Sequence, residues 1–285
     1  MVTTSSTQGG AVAPPTAVPR PSAAPPARVR LLTTTVPART AWILRAVSIL
    51  GPLAAWWALS AAGAVDPAFL PSPAAVWTAG IDMARSGELP SDLLASLGRI
   101  GAGFGLAVLI SVPVGFAMGT LGWAQPLLEP AIGILRYLPA SAFIPLLIIW
   151  LGIGEPSKIA LLVLGVVFFN TLMTADAVRQ VPHRLLEVSA TLGAGRWRVA
   201  THVVLPHALP GVIDAMRVNA AAAWNFVVVA ELVAATSGLG YRITRAQRFL
   251  QTDRIFAILV LIGVIGLTID VALRLLRGRV GRWAR

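Results

Sequence analysis

The chain has 285 residues, of which 56% are hydrophobic and 12% are charged, and its formal net charge is +11. Soluble domains are about 45–50% apolar and about 25% charged, so this composition, with a mean hydropathy of +0.76, excludes an ordinary soluble domain and indicates a membrane protein. The arginines cluster beside apolar runs without interleaved aromatics, which argues against nucleic-acid binding and fits the cytoplasmic flanks of membrane helices. The absence of cysteine excludes disulfides, thiolate metal sites and a cysteine nucleophile.

Residues 1–40 are rich in proline, alanine, serine and threonine and show no apolar periodicity. Such a segment cannot bury enough surface to offset its ordering entropy, so we predict a disordered tail. Residues 46–65 then carry no charge and predict a first transmembrane helix, placed at 41–64. The stretch "LSAAGA" resembles a signal-peptidase site, but the long apolar core and the long preceding tail predict that this helix is not cleaved.

The segment 66–99 mixes acidic and basic residues, and we predict one or two short surface helices broken at Pro71, Pro73 and Pro90. Uncharged runs then predict five further spans, at 100–128, at 137–154, at 159–175, from near Val212 with Glu231 inside the run, and at 255–269. The third of these six spans is expected to be broken into an interfacial piece and a span by Pro126, Pro130, Pro139 and Pro145. The sequence therefore predicts an all-α membrane protein with about six transmembrane helices.

Basic residues near the ends of the spans predict that both termini lie in the cytoplasm, including a basic tail at 279–285. With this orientation, the loop between the fourth and fifth spans is also cytoplasmic. One segment departs from the rule, because the basic stretch at 241–254 falls on the outer side. Either that stretch is an exception, or one of the predicted spans is wrong.

The cytoplasmic loop at 183–206 has a pattern of its own. Leu185, Val188 and Leu192 fall on one face of a helix, and Gly193 then predicts a turn before a second helical piece that Pro206 is expected to end or bend. The mixture of apolar and charged residues suits docking into a groove of another protein. The alternative is an amphipathic loop that lies in the membrane interface.

The spacing within this loop resembles the "EAA" loop of ATP-binding-cassette importer permeases, which reads Glu-Ala-Ala, three residues, Gly, nine residues, Ile-x-Leu-Pro. The matching residues are Glu187, Val188, Ser189, Gly193, Val203, Leu205 and Pro206. The stretches "FLPSPAAVW", "SLGRIGAGF", "PLLIIWLGIGEPSKI" and "GLGYRI" also resemble the branch that includes nitrate, sulfonate and taurine permeases. This resemblance extends over residues 65–277.

The resemblance implies a type I importer transmembrane domain over residues 65–278, in which the loop at 183–206 is a coupling helix seated in a cytoplasmic ATPase subunit. It further implies a homodimer in the cell membrane that contacts lipid and receives a small anion, such as a sulfonate, taurine or nitrate, from an extracytoplasmic binding protein. This chain would be no enzyme and would bind no cofactor. It has no phosphate-binding loop of the Gly-Lys-Ser/Thr type, so the partner ATPase would use the ATP.

Polar residues inside predicted spans are candidates for the translocation path; they are Asn170, Thr174, Asn219, Asn225 and Glu231. The alternative is that these residues form hydrogen bonds between helices, or that Glu231 pairs with an arginine such as Arg242 or Arg245. In another functional class, Glu231 would be the proton or sodium carrier of a secondary transporter driven by an ion gradient, although no internal repeat supports this reading.

Two further pairs of charged residues lie near the inner ends of the last two spans. Asp214 and Arg217 are expected to help position the loop, and Asp270 with Arg274 is expected to form a local pair at the spacing i, i+4. The three histidines match no metal-ligand spacing, so the sequence predicts no metal site.

Overall fold

The computed structural model describes residues 36–281, and within this range the chain forms helices and no strand. The helices are α1 (Ala38–Ala61), α2 (Pro73–Arg85), α3 (Glu88–Thr120), α4 (Ala124–Leu135), α5 (Ile144–Leu151), α6 (Glu155–Arg179), α7 (His183–Thr191), α8 (Arg196–Val199), α9 (Leu205–Ala234), α10 (Leu239–Arg248) and α11 (Thr252–Val280). The predicted all-α class is confirmed. Most of the predicted tail at 1–40, and residues 282–285 of the predicted tail at 279–285, lie outside the described residues.

Five helical segments are long and apolar enough to cross a bilayer by length and composition, namely α1, α3, α6, the segment Arg196–Val233 and α11. A sixth candidate is a pair, Ala124–Leu135 with Ala140–Leu151, which is bent by 80°. Counting the bent pair as one span, the structure has the six spans that the sequence predicts. The first of them begins at Ala38 and ends at Ala61, where the prediction gave 41–64.

The bend changes the predicted second and third spans. The uncharged run at 100–128 is not one helix, because α3 ends at Thr120 and α4 begins at Ala124. The expected break at a proline is found between α4 and α5. A proline disfavours a helical conformation in the residue before it, and Leu138, which precedes Pro139, is not helical. Pro139 itself is extended ahead of a 3₁₀ turn at Ala140–Phe143. The absence of charge alone therefore locates the apolar segment correctly, but it does not locate the ends of the helices within that segment.

The predicted break at Pro90 is wrong. Pro90 lies in the first turn of α3, where a backbone N–H has no helical acceptor and a proline costs little. Consequently α3 runs for 33 residues from Glu88, and residues 88–99 are the beginning of a span rather than a surface helix. Asp92 and Arg99 lie on this part of α3 and are buried.

α3 packs along α6 through a row of small residues at intervals of four, which places them on one helix face; they are Gly103, Ala107, Ser111, Gly115 and Gly119. All but Gly119 are buried. A Cβ atom added at Gly103 would stand 2.7 Å from Leu162 Cβ on α6. Membrane helices lack a hydrophobic driving force for association, so this close approach supplies the contact through van der Waals packing.

Contacts divide the chain into two units, Met1–Ala54 and Ala55–Arg285. In the first unit the described part of α1 exposes large apolar side chains, among them Trp42, Ile49 and Leu50. In the second unit, Trp56 at the end of α1 stacks on Phe256 of α11.

The second unit also sets the position of the functional residues. Because α6 and α9 pack side by side, the loop that joins them lies at one end of the bundle. The start of α6 and the end of α9 lie at the other end, next to α10.

Candidate functional site

The loop at 183–206, which we call the coupling loop, forms two helical pieces around a glycine turn. α7 ends at Thr191, and Gly193 follows with φ at +75°. Its N–H donates to Ala190 O at 2.9 Å, and the N–H of Ala194 donates to Ser189 O at 3.0 Å. These bonds satisfy carbonyls at the end of α7, which is how a left-handed glycine closes a helix.

One side of the coupling loop is anchored to the bundle. Leu186 packs against a buried cluster that includes Val178 at the end of α6, Val204, and Ala208 of α9. The anchor fixes the loop to α6 and α9, the two helices that it connects.

The other side presents apolar side chains to the outside. Leu192 is 82% exposed, Trp197 is 79% exposed and Val188 is 56% exposed. Of the polar residues of the motif, Glu187 is exposed, with Oε1 3.5 Å from His183 Nδ1. Ser189 is half-buried, and its hydroxyl donates to Leu185 O at 2.6 Å. Large exposed apolar side chains grouped on one polar loop are typical of a surface that binds another protein.

The end of the loop differs from the prediction, because the helix does not end at Pro206. α8 continues through a π-helical turn at Ala200–Val204, which includes Val203, into α9 at Leu205. The N–H of Leu205 donates to Ala200 O, five residues back, ahead of the proline, which has no N–H to donate. The wider turn makes room for the proline where an ordinary helical turn would clash, so the helix continues.

Four charged residues join α9 to α11 near the coupling loop. Arg277 Nε lies 2.7 Å from Asp214 Oδ2, and Arg217 Nε lies 2.7 Å from Asp270 Oδ1. The predicted local pair is confirmed, with Arg274 Nη2 at 2.6 Å from Asp270 Oδ2. These pairs tie the last helix to the helix that carries the loop.

Three of the candidate path residues are buried between α3, α6 and α9. Asn170 Nδ2 donates to the Ser111 hydroxyl at 2.6 Å, and Asn219 Nδ2 donates to Asn170 Oδ1 at 3.2 Å. Thr174 is fully buried one turn further along α6, and its hydroxyl has no hydrogen-bond partner. The fourth candidate, Asn225, is instead exposed on α9.

Glu231, the fifth candidate, lies in a buried network at the opposite end of the bundle. Its Oε1 accepts from Arg99 Nη1 at 2.6 Å and from the Ser96 hydroxyl at 2.7 Å, and its Oε2 accepts from Gly240 N at 2.8 Å. The structural pair with an arginine that the sequence suggested is therefore present, but the partner is Arg99 rather than Arg242 or Arg245. The sequence does not indicate Arg99 as the partner, because Arg99 stands at the edge of an apolar run, where a charge is typical of the end of a span.

The same network holds the chain between α9 and α10. Arg99 Nη1 donates to Ser237 O at 2.7 Å, Asp92 Oδ1 accepts from Gly238 N at 2.8 Å, and Leu239 N donates to the Ser96 hydroxyl at 2.9 Å. Asp92, Ser96 and Arg99 are spaced i, i+4, i+7 and thus share one face of α3. This spacing was the available sequence signal.

The basic segment at 241–254 is matched by acids of α3. Arg242 Nε lies 2.6 Å from Asp92 Oδ2, and its Nη1 lies 2.9 Å from Glu88 Oε1. Burial lowers the pKa of the Arg242 guanidinium, but these carboxylates outweigh burial and raise the pKa above its ordinary value. Arg245 and Arg254 also lie within 4 Å of Glu88. Three of the four arginines of this segment therefore lie beside carboxylates of α3.

Within residues 36–281 the side chains form no group of three or more His, Asp or Glu residues that could hold a metal ion. A helical bundle with up to six candidate spans, which presents exposed apolar side chains on a loop at one end, has the architecture of a multi-pass membrane protein.

Comparison with known proteins identifies the class. The model of the family described as "Binding-protein-dependent transport system inner membrane component" matches residues 108–282. The taurine transport system permease protein TauC of Escherichia coli is 37% identical over 237 residues, which are 81% of this chain and 86% of that protein. A putative aliphatic sulfonates transport permease protein of Bacillus subtilis is 34% identical, covering 81% of this chain and 84% of that protein.

A solved structure of the methionine ABC transporter MetNI in an inward-facing conformation matches the fold. The TM-score is 0.61 at 22% identity, covering 66% of this chain and 94% of that chain. The chain belongs to the binding-protein-dependent inner membrane component family and is a permease subunit of an ATP-binding-cassette importer. These findings do not favour a secondary transporter.

Proposed function

We propose that this permease imports a small organic anion of the sulfonate class. The support is the identity of 37% and 34% to permeases named for taurine and for aliphatic sulfonates, each over four fifths of this chain. The substrate would be delivered by an extracytoplasmic solute-binding protein, and two copies of this chain would form the path in the cell membrane, with lipid along exposed helices such as α1 and α11. Both termini would lie in the cytoplasm.

The coupling loop would bind a cytoplasmic ATP-binding-cassette ATPase, which would use the ATP, so that this chain itself would be no enzyme and would hold no cofactor. The observation that carries this proposal is the exposure of Leu192 and Trp197 on a loop whose other side is anchored to α6 and α9. Glu187, Val188, Ser189 and Gly193 would shape the surface, while Val203, Leu205 and Pro206 would join it to α9.

Of the five candidate residues, we assign only Asn225 to the translocation path. An asparagine side chain in contact with lipid costs free energy, so an exposed one within a span is expected to face water or another protein. Asn170, Thr174, Asn219 and Glu231 are buried between helices of this chain. They would hold the bundle together instead.

Replacement of Trp197 with alanine tests the coupling proposal. The change removes an exposed side chain from the loop without opening a cavity. We expect the tagged chain, extracted from membranes in mild detergent, to retain less than a third of the co-purifying ATPase subunit. Trp77→Ala is the matched control, because Trp77 is 72% exposed on α2, outside the loop. Equal ATPase recovery from both variants would refute the role of the loop.

A further inference from the structure

An open cavity of about 360 Å³ lies where α3 meets the start of α6, and its wall includes Leu94, Gly98, Arg99, Glu155 and Ser237. Pockets that bind small ligands measure about 300–1,000 Å³, so this cavity suits a small solute. It lies beside the Glu231 network. Two stretches that carried the family resemblance, "SLGRIGAGF" and "PLLIIWLGIGEPSKI", supply most of its wall, and the coupling loop uses neither of them.

Two buried cations share one exposed carboxylate at this cavity. Arg99 Nε and Nη2 bind the two oxygens of Glu155 at 2.7 and 2.8 Å, and Lys158 Nζ lies 3.0 Å from Glu155 Oε1. The side chains of Arg99 and Lys158 are 4% and 6% exposed, whereas that of Glu155 is 53% exposed. A buried cation requires an anion beside it, and Glu155 is the anion that stands on the open side.

The two carboxylates on Arg99 are not equivalent. The side chain of Glu231 is fully buried and also accepts hydrogen bonds from the Ser96 hydroxyl and from Gly240 N. If it moved away from Arg99, these buried donors would lose their acceptor. Glu155 is the first residue of α6. If its side chain rotates outward, water can replace Arg99 and Lys158 as the hydrogen-bond partners of its carboxylate. Its departure would leave the donors of Arg99 Nε and Arg99 Nη2 without this acceptor at the wall of the cavity. Lys158 Nζ, which is not part of that wall but lies beside Glu155, would lose the same acceptor.

We propose that this cavity is a transient anion site, in which a monovalent sulfonate takes the place of the Glu155 carboxylate on Arg99 and Lys158. The exchange is one negative charge for another, so the buried cations are neutralised both before and after it. A sulfonate group has three oxygens, enough for the two Arg99 donors and the Lys158 ammonium. The inference rests on the proposed function, since that function supplies the anion.

The site binds weakly, because the Glu155 carboxylate competes for the same donors. Weak binding suits a transport protein, in which a solute must enter a site and leave it again. The internal carboxylate also keeps the cations paired when no solute is present. Glu155 thus determines specificity. An anion can replace its carboxylate on Arg99 and Lys158, whereas a cation finds no unpaired carboxylate to bind.

The test uses Lys158, which is the only lysine in the chain. The full-length permease in lipid nanodiscs is treated with an amine-acylating reagent, and modification of Lys158 is followed by mass spectrometry with and without sodium methanesulfonate. We expect methanesulfonate to slow the acylation of Lys158. Dimethyl sulfone, of similar size and without charge, is expected to give no protection, and sodium chloride less protection than methanesulfonate.

Glu155→Gln removes the competing charge and is expected to lower the methanesulfonate concentration for half-protection at least tenfold, whereas Glu155→Asp stays near the parent value. Glu129→Gln on α4, which removes a carboxylate that pairs with Gln125, serves as the control and leaves half-protection unchanged. If Glu155→Gln does not fold, the test uses two other results. These are protection in the parent chain and a methanesulfonate concentration for half-protection in Glu155→Asp that is close to the parent value.

Absence of protection by methanesulfonate in the parent chain and in Glu155→Gln would overturn the proposal, as would equal protection by chloride or dimethyl sulfone. The experiment needs neither ATP nor a partner subunit. If methanesulfonate does not protect Lys158 but ATP-driven uptake is observed, only this inference is contradicted. If methanesulfonate protects Lys158 but no ATP-driven uptake is observed, the proposed function is contradicted.

Discussion

Glu231 and Arg99 show how a charged pair is held inside an apolar bundle. Each charge has more than one partner, because Glu231 also accepts from Ser96 and Gly240, and Arg99 also binds Glu155 and Ser237. A buried ion pair is stable only when its remaining hydrogen-bonding capacity is met in this way. The pair therefore joins the ends of α3 and α9 and the start of α6.

Replacing Glu231 with glutamine leaves Arg99 with one carboxylate fewer in a buried site. Removal of one partner of a buried pair costs about 3–5 kcal/mol, so we expect a clearly lower thermal unfolding temperature in detergent. Substrate uptake by the remaining folded protein should keep its dependence on external pH. A variant of parental stability whose uptake no longer responds to pH would instead identify Glu231 as a proton carrier.

Gly193 and Gly195 offer a matched pair in the coupling loop. A Cβ atom at either position would meet nothing within 4 Å, but only Gly193 has a positive φ. An alanine in that left-handed conformation costs roughly 1–2 kcal/mol, so Gly193→Ala should distort the loop and lower substrate uptake several-fold at an equal amount of protein in the membrane. Gly195→Ala should transport like the parent chain. Equal uptake by both variants would show that the left-handed turn is dispensable.

At the scale of elements, the contact between α3 and α6 sets the positions of both functional ends. The row of small residues lets the two backbones approach, and the Asn170–Ser111 hydrogen bond lies within the same contact. Because α6 leads into the coupling loop and begins at Glu155, the α3–α6 contact joins the Glu155 end to the loop end.

Gly115→Ala tests this contact. The added Cβ would stand 2.5 Å from the backbone oxygen of Thr171, which cannot move independently of α6. Overpacking of this kind costs about 1–3 kcal/mol, and we expect a lower unfolding temperature and reduced uptake. Gly105→Ala on the same helix is the control, since a Cβ there meets no atom within 4 Å. A Gly115→Ala variant as stable as Gly105→Ala would contradict the packing account.

At the scale of the molecule, composition and apolar runs were enough to predict an all-α membrane protein, because burial in lipid demands long uncharged segments whatever the tertiary contacts. The same reasoning wrongly predicts a helix break at Pro90 and an exposed position for Arg99. It assigned charge to the surface, whereas Asp92 and Arg99 are buried by pairing with residues more than 130 positions away. Such partners cannot be found from local spacing.

The coupling loop was predicted more fully than the Glu231 network. Its helix, glycine turn and second helix depend on neighbouring residues, so local patterns contain the information. The continuation of the helix past Pro206 was missed, because a π-helical turn has no simple local pattern. The network of Arg99, Glu155 and Glu231 instead draws on three separate helices, and only the fold brings these residues together.

As a permease subunit of an ATP-binding-cassette importer, this chain is expected to move its solute only with energy from ATP. The most direct measurement is uptake of radiolabelled taurine into proteoliposomes containing the permease and its ATPase, with the binding protein outside and ATP inside. We predict uptake that requires enclosed ATP and the binding protein and that persists when ionophores remove proton and sodium gradients. Uptake by the permease alone, driven by an imposed ion gradient without ATP, would contradict the account.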